Sequence, residues 1–436
     1  MTTQICDVGA LDLARYVRPG ATVAWGQGCA EPLTLTEALA AQRRQLGGVR
    51  CFTGISSSPA VRPEHCDYLE FTPYTAAGAN RALSRAGLLE VVPCHYSRLP
   101  DLLGDGPLRA DVLFLSLPPA GPDGTFAPGL GADYITPLIG QAGTVIAEVN
   151  DQVPEIGGHR LEPGEIDVIV RTSRPPAEYA DKPASDVDMA IAAHVAGLVP
   201  DGATLQVGIG RLPAVIVRYL SGHRDLGVHS GMITDGIAGL IEAGVVTGAR
   251  KSLDRGLVVT GFLMGTRALI ARAAVDKSIW LRDTRYTHDH AVLAAQHALV
   301  AINSAVEVDL TGQANIEVAA GRYVGGIGGA ADFLRGAARS AGGVPVIALP
   351  STTGPSTTGP STTGPATAGR ASRVVARLSG PVGLARADAG VIVTEYGVAD
   401  LRGLSLARRR EAMIAIAHPG HRADLEAAAA RAAAGD

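Results

Sequence analysis

Ala203-Thr-Leu-Gln-Val-Gly-Ile-Gly210 is a short, mostly apolar run closed by a glycine turn, with helical spacing following over Pro213 to Ser221. Such a run, bounded by glycine and leading into a helix, reads as a buried parallel strand. Similar runs recur on both sides: Ala21–Trp25, Asp111–Leu117, Gly143–Val149 and Asp167–Val170 before it, and Leu257–Thr260, Leu299–Ile302, Val344–Leu349 and Ala389–Val393 after it. Helical spacing lies between them at Leu35 to Leu46, with Thr34 as its cap candidate. Alternating strand and helix imply doubly wound α/β sheets.

The chain has 436 residues, which at about 150 per domain exceeds one core. The stretch from Arg174 to Pro183, rich in proline, precedes helical spacing from Asp186 to Leu198 and is the linker candidate. Two tandem domains follow from it, an N-terminal one over residues 1–180 and a C-terminal one over 186–436. Ser351 to Pro365 is a threefold Ser-Thr-Thr-Gly-Pro repeat running into Ala366-Thr-Ala-Gly369. It cannot bury apolar surface, so 351–369 is expected to be a mobile surface loop, or a lid.

With 47% hydrophobic residues and 18% charged ones, the chain has material for large cores. A net charge of −4 gives no footprint for nucleic acid, and Arg408-Arg409-Arg410 reads as a solvated helix face. The five cysteines lack metal-ligand spacing and are expected to be reduced, mostly buried thiols. No stretch offers the roughly 18 apolar residues of a membrane span, and the N-terminus lacks a secretory pattern, so a cytoplasmic protein is expected.

Chemistry concentrates in glycine-rich turns: Val207-Gly-Ile-Gly210, Gly325-Gly-Ile-Gly-Gly329 and Gly342-Gly343. Glycine after a strand lets the backbone approach a ligand and point N–H groups at a phosphate or a reacting carbonyl. The same glycines serve equally well as plain structural turns.

Longer strings give the turns a context. They are Ile146-Ala-Glu-Val-Asn150, Leu205–Gly210, Ile302–Gln313, Gly325–Gly336, Val393-Thr-Glu-Tyr-Gly-Val-Ala-Asp-Leu-Arg-Gly403 and Ile416-Ala-His-Pro419. Together they resemble the acetyl-CoA hydrolase and 4-hydroxybutyrate CoA-transferase family over most of the chain. The resemblance implies two tandem doubly wound CoA-transferase-type domains, an active site in the cleft between them, and a homodimer. It implies no permanently bound cofactor, with a coenzyme A thioester as substrate. By position, Ile209 and Gly328 would form the oxyanion hole, Glu395 would be an active-site carboxylate, and Gly208, Gly210, Gly325, Gly326 and Gly329 would bind coenzyme A.

Two positions depart from the family pattern. Relatives attack the thioester with a glutamate and hold coenzyme A as a glutamyl thioester. In Gly227-Val-His-Ser-Gly-Met-Ile-Thr-Asp-Gly236 that glutamate is replaced by Gly231, which is expected to leave space before the thioester carbonyl. In Tyr286-Thr-His-Asp-His-Ala291, His288 stands where relatives carry asparagine, and imidazole with a pKa near 6.5 can take a proton at neutral pH.

Both changes favour direct acyl transfer from the thioester to a small-molecule acceptor or water, with no glutamyl intermediate. Two alternatives stand beside it. One is CoA transfer through a relocated carboxylate, with Asp235, Asp289, Glu307 or Glu395 as candidates; the other is a CoA-binding scaffold without catalysis.

Overall fold

The apolar runs become strands of two large sheets in the computed structural model of the chain, which describes residues 3–354 and 370–434. The first sheet has seven strands, all parallel, in the order Gln4–Asp7, Val168–Thr172, Thr144–Asn150, Val112–Leu117, Thr22–Trp25, Val49–Phe52 and Leu69–Phe71. Val112–Leu117 is buried along its whole length because helices and loops cover both faces. That explains why its sequence is continuously apolar instead of alternating.

The second sheet has nine strands. From Thr204–Val207 the chain adds Gly227–Ile233, Val258–Leu263 and Ile279–Leu281 on one side, then returns to add Leu299–Ser304, Val344–Ala348 and Val391–Thr394 on the other. The order therefore reverses between Thr204–Val207 and Leu299–Ser304, which pair directly. Open α/β sheets bind ligands outside the carboxyl ends of strands at such a reversal. Gly397–Asp400 closes one edge antiparallel, and at the other edge Gly157–Gly158, from the first half of the sequence, pairs with Ile279–Leu281. Residues 173–185, between the last strand of the first sheet and the helix Asp186–Ala196, form no regular element.

Local chemistry departs from expectation at one cap. The Leu33–Leu46 helix has Pro32 at its N-cap, and Thr34 lies inside the first turn. The orphan N–H groups of Thr34 and Leu35 donate instead to Glu148 Oε2, at 2.8 and 3.2 Å. A carboxylate from a neighbouring strand thus replaces a local hydroxyl at a positive helix end. Arg408, Arg409 and Arg410 lie on the helix Leu406–Ala415, as expected. Cys29 and Cys51 are buried, the other three cysteines partly so, and all five are free. Of the repeat stretch 351–369, residues 355–369 lie outside the described residues, while Ser351 and Thr352 at its start are buried and not on a mobile surface. Among the described residues no helix is long and apolar enough to cross a membrane, and no cluster of His, Cys, Asp and Glu could hold a metal.

Candidate active site

The two halves meet through main-chain bonds between the loop at Leu130–Ala132 and the strand Val258–Leu263. Ala132 N–H donates to the Gly261 carbonyl at 2.8 Å, and Leu263 N–H to Leu130 at 2.9 Å. Farther along the seam the Gly325–Gly329 turn threads between the halves. The Gly325 carbonyl accepts from Ala76 N–H at 3.0 Å, and the Gly328 carbonyl accepts from Tyr96 N–H at 2.9 Å. A Cβ on Gly326 would lie 2.3 Å from the Tyr74 carbonyl, and one on Gly325 would lie 2.4 Å from that of Ile316. These glycines therefore have a packing reason to be glycine, beside any role toward a ligand.

A cavity of about 240 Å³ opens at this seam, at the strand-order reversal of the second sheet. All of the glycines expected to face coenzyme A line it: Gly208, Gly210, Gly325, Gly326 and Gly329. Ile209 and Gly328 line it as well. Gly328 has φ +52°, so its peptide is turned in a way few other residues allow. Among the described residues neither the Ile209 nor the Gly328 N–H donates to a protein acceptor. Gln206 and Asn303, on the paired strands at the reversal, bind each other across the cavity floor, with Asn303 Nδ2 donating to Gln206 Oε1 at 2.9 Å.

Gly231 and His288 also line the cavity, side by side. The space beside Gly231 is occupied: a Cβ there would lie 3.1 Å from His288 Cε1 and 3.6 Å from Phe333 Cε2. The expectation of an emptied site before the carbonyl is thus corrected. The imidazole is wedged between Tyr96 and Phe333, with ring centroids 4.7 and 4.6 Å away. Each such pair adds about 0.5–1.5 kcal/mol beyond burial, so the ring has a fixed place.

The Thr287 hydroxyl lies between two partners, 3.1 Å from the Asp283 carbonyl and 2.9 Å from His288 Nδ1. A bond from the hydroxyl to Asp283 is compatible with Nδ1–H donating to the Thr287 oxygen, the tautomer that leaves a lone pair on Nε2. Nε2 points at Gly329, where a Cβ would come within 2.5 Å of it. Behind it, the Thr287 carbonyl accepts from His229 Nε2 at 3.1 Å, and His229 Nδ1 accepts from Gln296 Nε2 at 3.2 Å.

Burial, with a smaller contribution from His229, pushes the His288 pKa down to about 3. This corrects the expectation of an imidazole titrating near 6.5. The ring is neutral at physiological pH, so it is in the proton-accepting form but is a weak base. His229 is also held neutral, with its pKa pushed down to about 4 by burial and by the nearby Lys251 ammonium.

None of the candidate carboxylates lines the cavity among the described residues. Glu395 is turned to Ser351, accepting from its N–H at 2.8 Å and its hydroxyl at 2.7 Å. Asp235 accepts from Thr266 and from Leu269 N–H. Asp289 caps the helix His290–Ala295 through Ala291 and Val292 N–H. Glu307 is held by Asn315, Ser379 and Gly380. Tyr74 and Tyr96 lie outside every string singled out in the sequence, and Thr287 and Phe333 lie inside such strings without having been assigned a role. All four become site residues only because the fold brings them there.

Residues 8–175 match the acetyl-CoA hydrolase/transferase N-terminal domain, and residues 265–429 match the C-terminal domain of the same family. The 4-hydroxybutyrate coenzyme A transferase of Clostridium kluyveri is 35% identical over 80% of this chain and 79% of its own length. The butyryl-CoA:acetate CoA-transferase of Anaerostipes caccae is 32% identical over 95% of this chain and 93% of its own. The crystal structure of RipA from Yersinia pestis superposes with a TM-score of 0.88 at 31% identity, covering 98% of this chain and 97% of that one. The chain belongs to the acetyl-CoA hydrolase/transferase family, a family of acyl-CoA-processing enzymes.

Proposed function

We propose that the protein binds an acyl-coenzyme A at the interdomain cavity and transfers its acyl group directly to an acceptor. The observation that carries this reading is the pairing at the cavity wall: a glycine at position 231, and beside it a neutral imidazole whose Nε2 is turned toward Gly231 and Gly329, two glycines that line the cavity. The engagement of Asp235, Asp289, Glu307 and Glu395 elsewhere supports it over CoA transfer through a relocated carboxylate.

In this reaction His288 Nε2 accepts the proton of an acceptor X–H as X attacks the thioester carbon. The carbonyl oxygen becomes an oxyanion and accepts from the Ile209 and Gly328 N–H groups, which have no protein acceptor among the described residues. The carbon–sulfur bond then breaks, and the imidazolium returns its proton to the thiolate of coenzyme A. The products are the acylated acceptor and free thiol, and water as X–H gives hydrolysis. A base this weak transfers its share of the proton late, so positioning and the oxyanion donors carry most of the acceleration. The assembly is read as a homodimer, which light scattering checks.

The test incubates the protein with acyl-CoA and a range of acceptors, following free thiol and intact-protein mass together. Thiol release without a mass increase is expected. A coenzyme A adduct on the protein would sink direct transfer. Tight coenzyme A binding with no turnover would leave the scaffold reading instead.

A further inference from the structure

The cavity has two unlike sets of lining residues. One is the glycine turns with the Gln206–Asn303 pair at the strand-order reversal. The other is Ile55, Met232, Phe262, Tyr74, Tyr96 and Phe333, all buried. Ile55, Met232 and Phe262 form one continuous apolar cluster. Tyr74 and Tyr96 pack edge to face at 5.3 Å.

The two tyrosine hydroxyls do not soften that wall. Tyr74 Oη donates to Gln27 Oε1 at 2.8 Å, and Gln27 Nε2 donates to Tyr96 Oη. Gln27 is buried behind the rings and is not among the residues lining the cavity. Both hydroxyls are therefore bound behind the wall, and what faces the space is carbon. The only charged side chain lining the cavity among the described residues is Arg81, and it is exposed.

We infer that the acyl group taken by this site is apolar and uncharged, a monocarboxylic acyl chain or ring, and that dicarboxylic acyl groups are rejected. The inference rests on the acyl-CoA reading given above and names its substrate class. A terminal carboxylate set against these lining residues would lose its hydration and meet no buried cation; the unpartnered side-chain donor lining the cavity among the described residues is the neutral Ser304 hydroxyl, which leaves the charge uncompensated. An alkyl or aryl end would replace water against carbon, which is favourable. Specificity of this kind depends on the unpaired charge that the wrong ligand leaves behind.

Binding of thioethers tests this without any need for turnover. Calorimetry on the intact protein would compare coenzyme A, S-butyl-CoA and S-(3-carboxypropyl)-CoA, the last two sharing their first carbons and differing in the end group. S-butyl-CoA is expected to bind at least 100-fold tighter than S-(3-carboxypropyl)-CoA, and Arg81→Gln is expected to keep that ranking. Near-equal affinities, or a preference for the carboxylate, would overturn the inference while leaving the acyl-CoA reading intact. If coenzyme A and both thioethers fail to bind, the two readings fall together. If the ranking holds but no acyl-CoA releases thiol, only the catalytic reading fails.

Discussion

A Cβ placed on Gly231 would stand 3.1 Å from His288 Cε1, so the two residues share one space. The resemblance read from the sequence implies a glutamate and an asparagine at these two positions in the family pattern. A Cβ at 231 crowds His288 Cε1, and Tyr96 and Phe333 hold the imidazole on both sides, which limits how far it can give way.

Gly231→Glu alone is therefore expected to cost about 1–3 kcal/mol of stability, as overpacking does, and to give no exchange of coenzyme A between carboxylates. The double change with His288→Asn is expected to recover the stability and gain exchange. Urea unfolding and an exchange assay check both. A single variant as stable as the parent would remove the steric coupling.

His288→Asn by itself is expected to lower turnover by about 10²-fold, the low end for loss of a positioned base because this base is weak, with little change in acyl-CoA affinity. Thr287→Val, which deletes the oxygen 2.9 Å from Nδ1, is expected to lower turnover in the same direction by a smaller factor. Thr287→Ser keeps that oxygen and is expected to restore it. If valine and serine behave alike, the hydroxyl does not set the tautomer.

Because burial holds His288 near pKa 3, it stays unprotonated well below the usual imidazole range. The rate profile is then expected to stay flat as pH falls from about 8 to about 5, with an acceptor that does not itself titrate there, and to drop only at more acid pH. A fall of unit slope centred near 6.5 would show a base exposed to water instead.

Gly326→Ala puts a methyl group 2.3 Å from the Tyr74 carbonyl and 2.9 Å from Thr75 Cα, across the seam between the halves. Backbone cannot swing aside as a long side chain can. A loss of about 1–3 kcal/mol is expected, together with weaker acyl-CoA binding as the seam opens. An unchanged unfolding midpoint would show that the seam has slack.

Periodicity and glycine placement made the strands around Thr22, Val112, Thr144, Thr204, Leu299 and Val344 legible, because a strand buried on both faces needs an unbroken apolar run. Val49–Phe52, interrupted by Arg50, and the two-residue Gly157–Gly158 strand gave no such signal. The cavity glycines were legible as turns. Their second constraint, close approach to Tyr74, Thr75 and His288, depends on residues distant in sequence.

The amino-acid sequence determined the two-sheet α/β architecture and the family, since both rest on local patterns and on strings of contiguous residues. It also singled out Gly231 and His288 as departures from the pattern that the resemblance implies. Tertiary structure decided what they do to each other. Only packing between Tyr96 of one half and Phe333 of the other fixes the ring beside Gly231, and only its burial there drives the imidazole neutral. Desolvation and contact are properties of the assembled surroundings, and no stretch of sequence carries them alone.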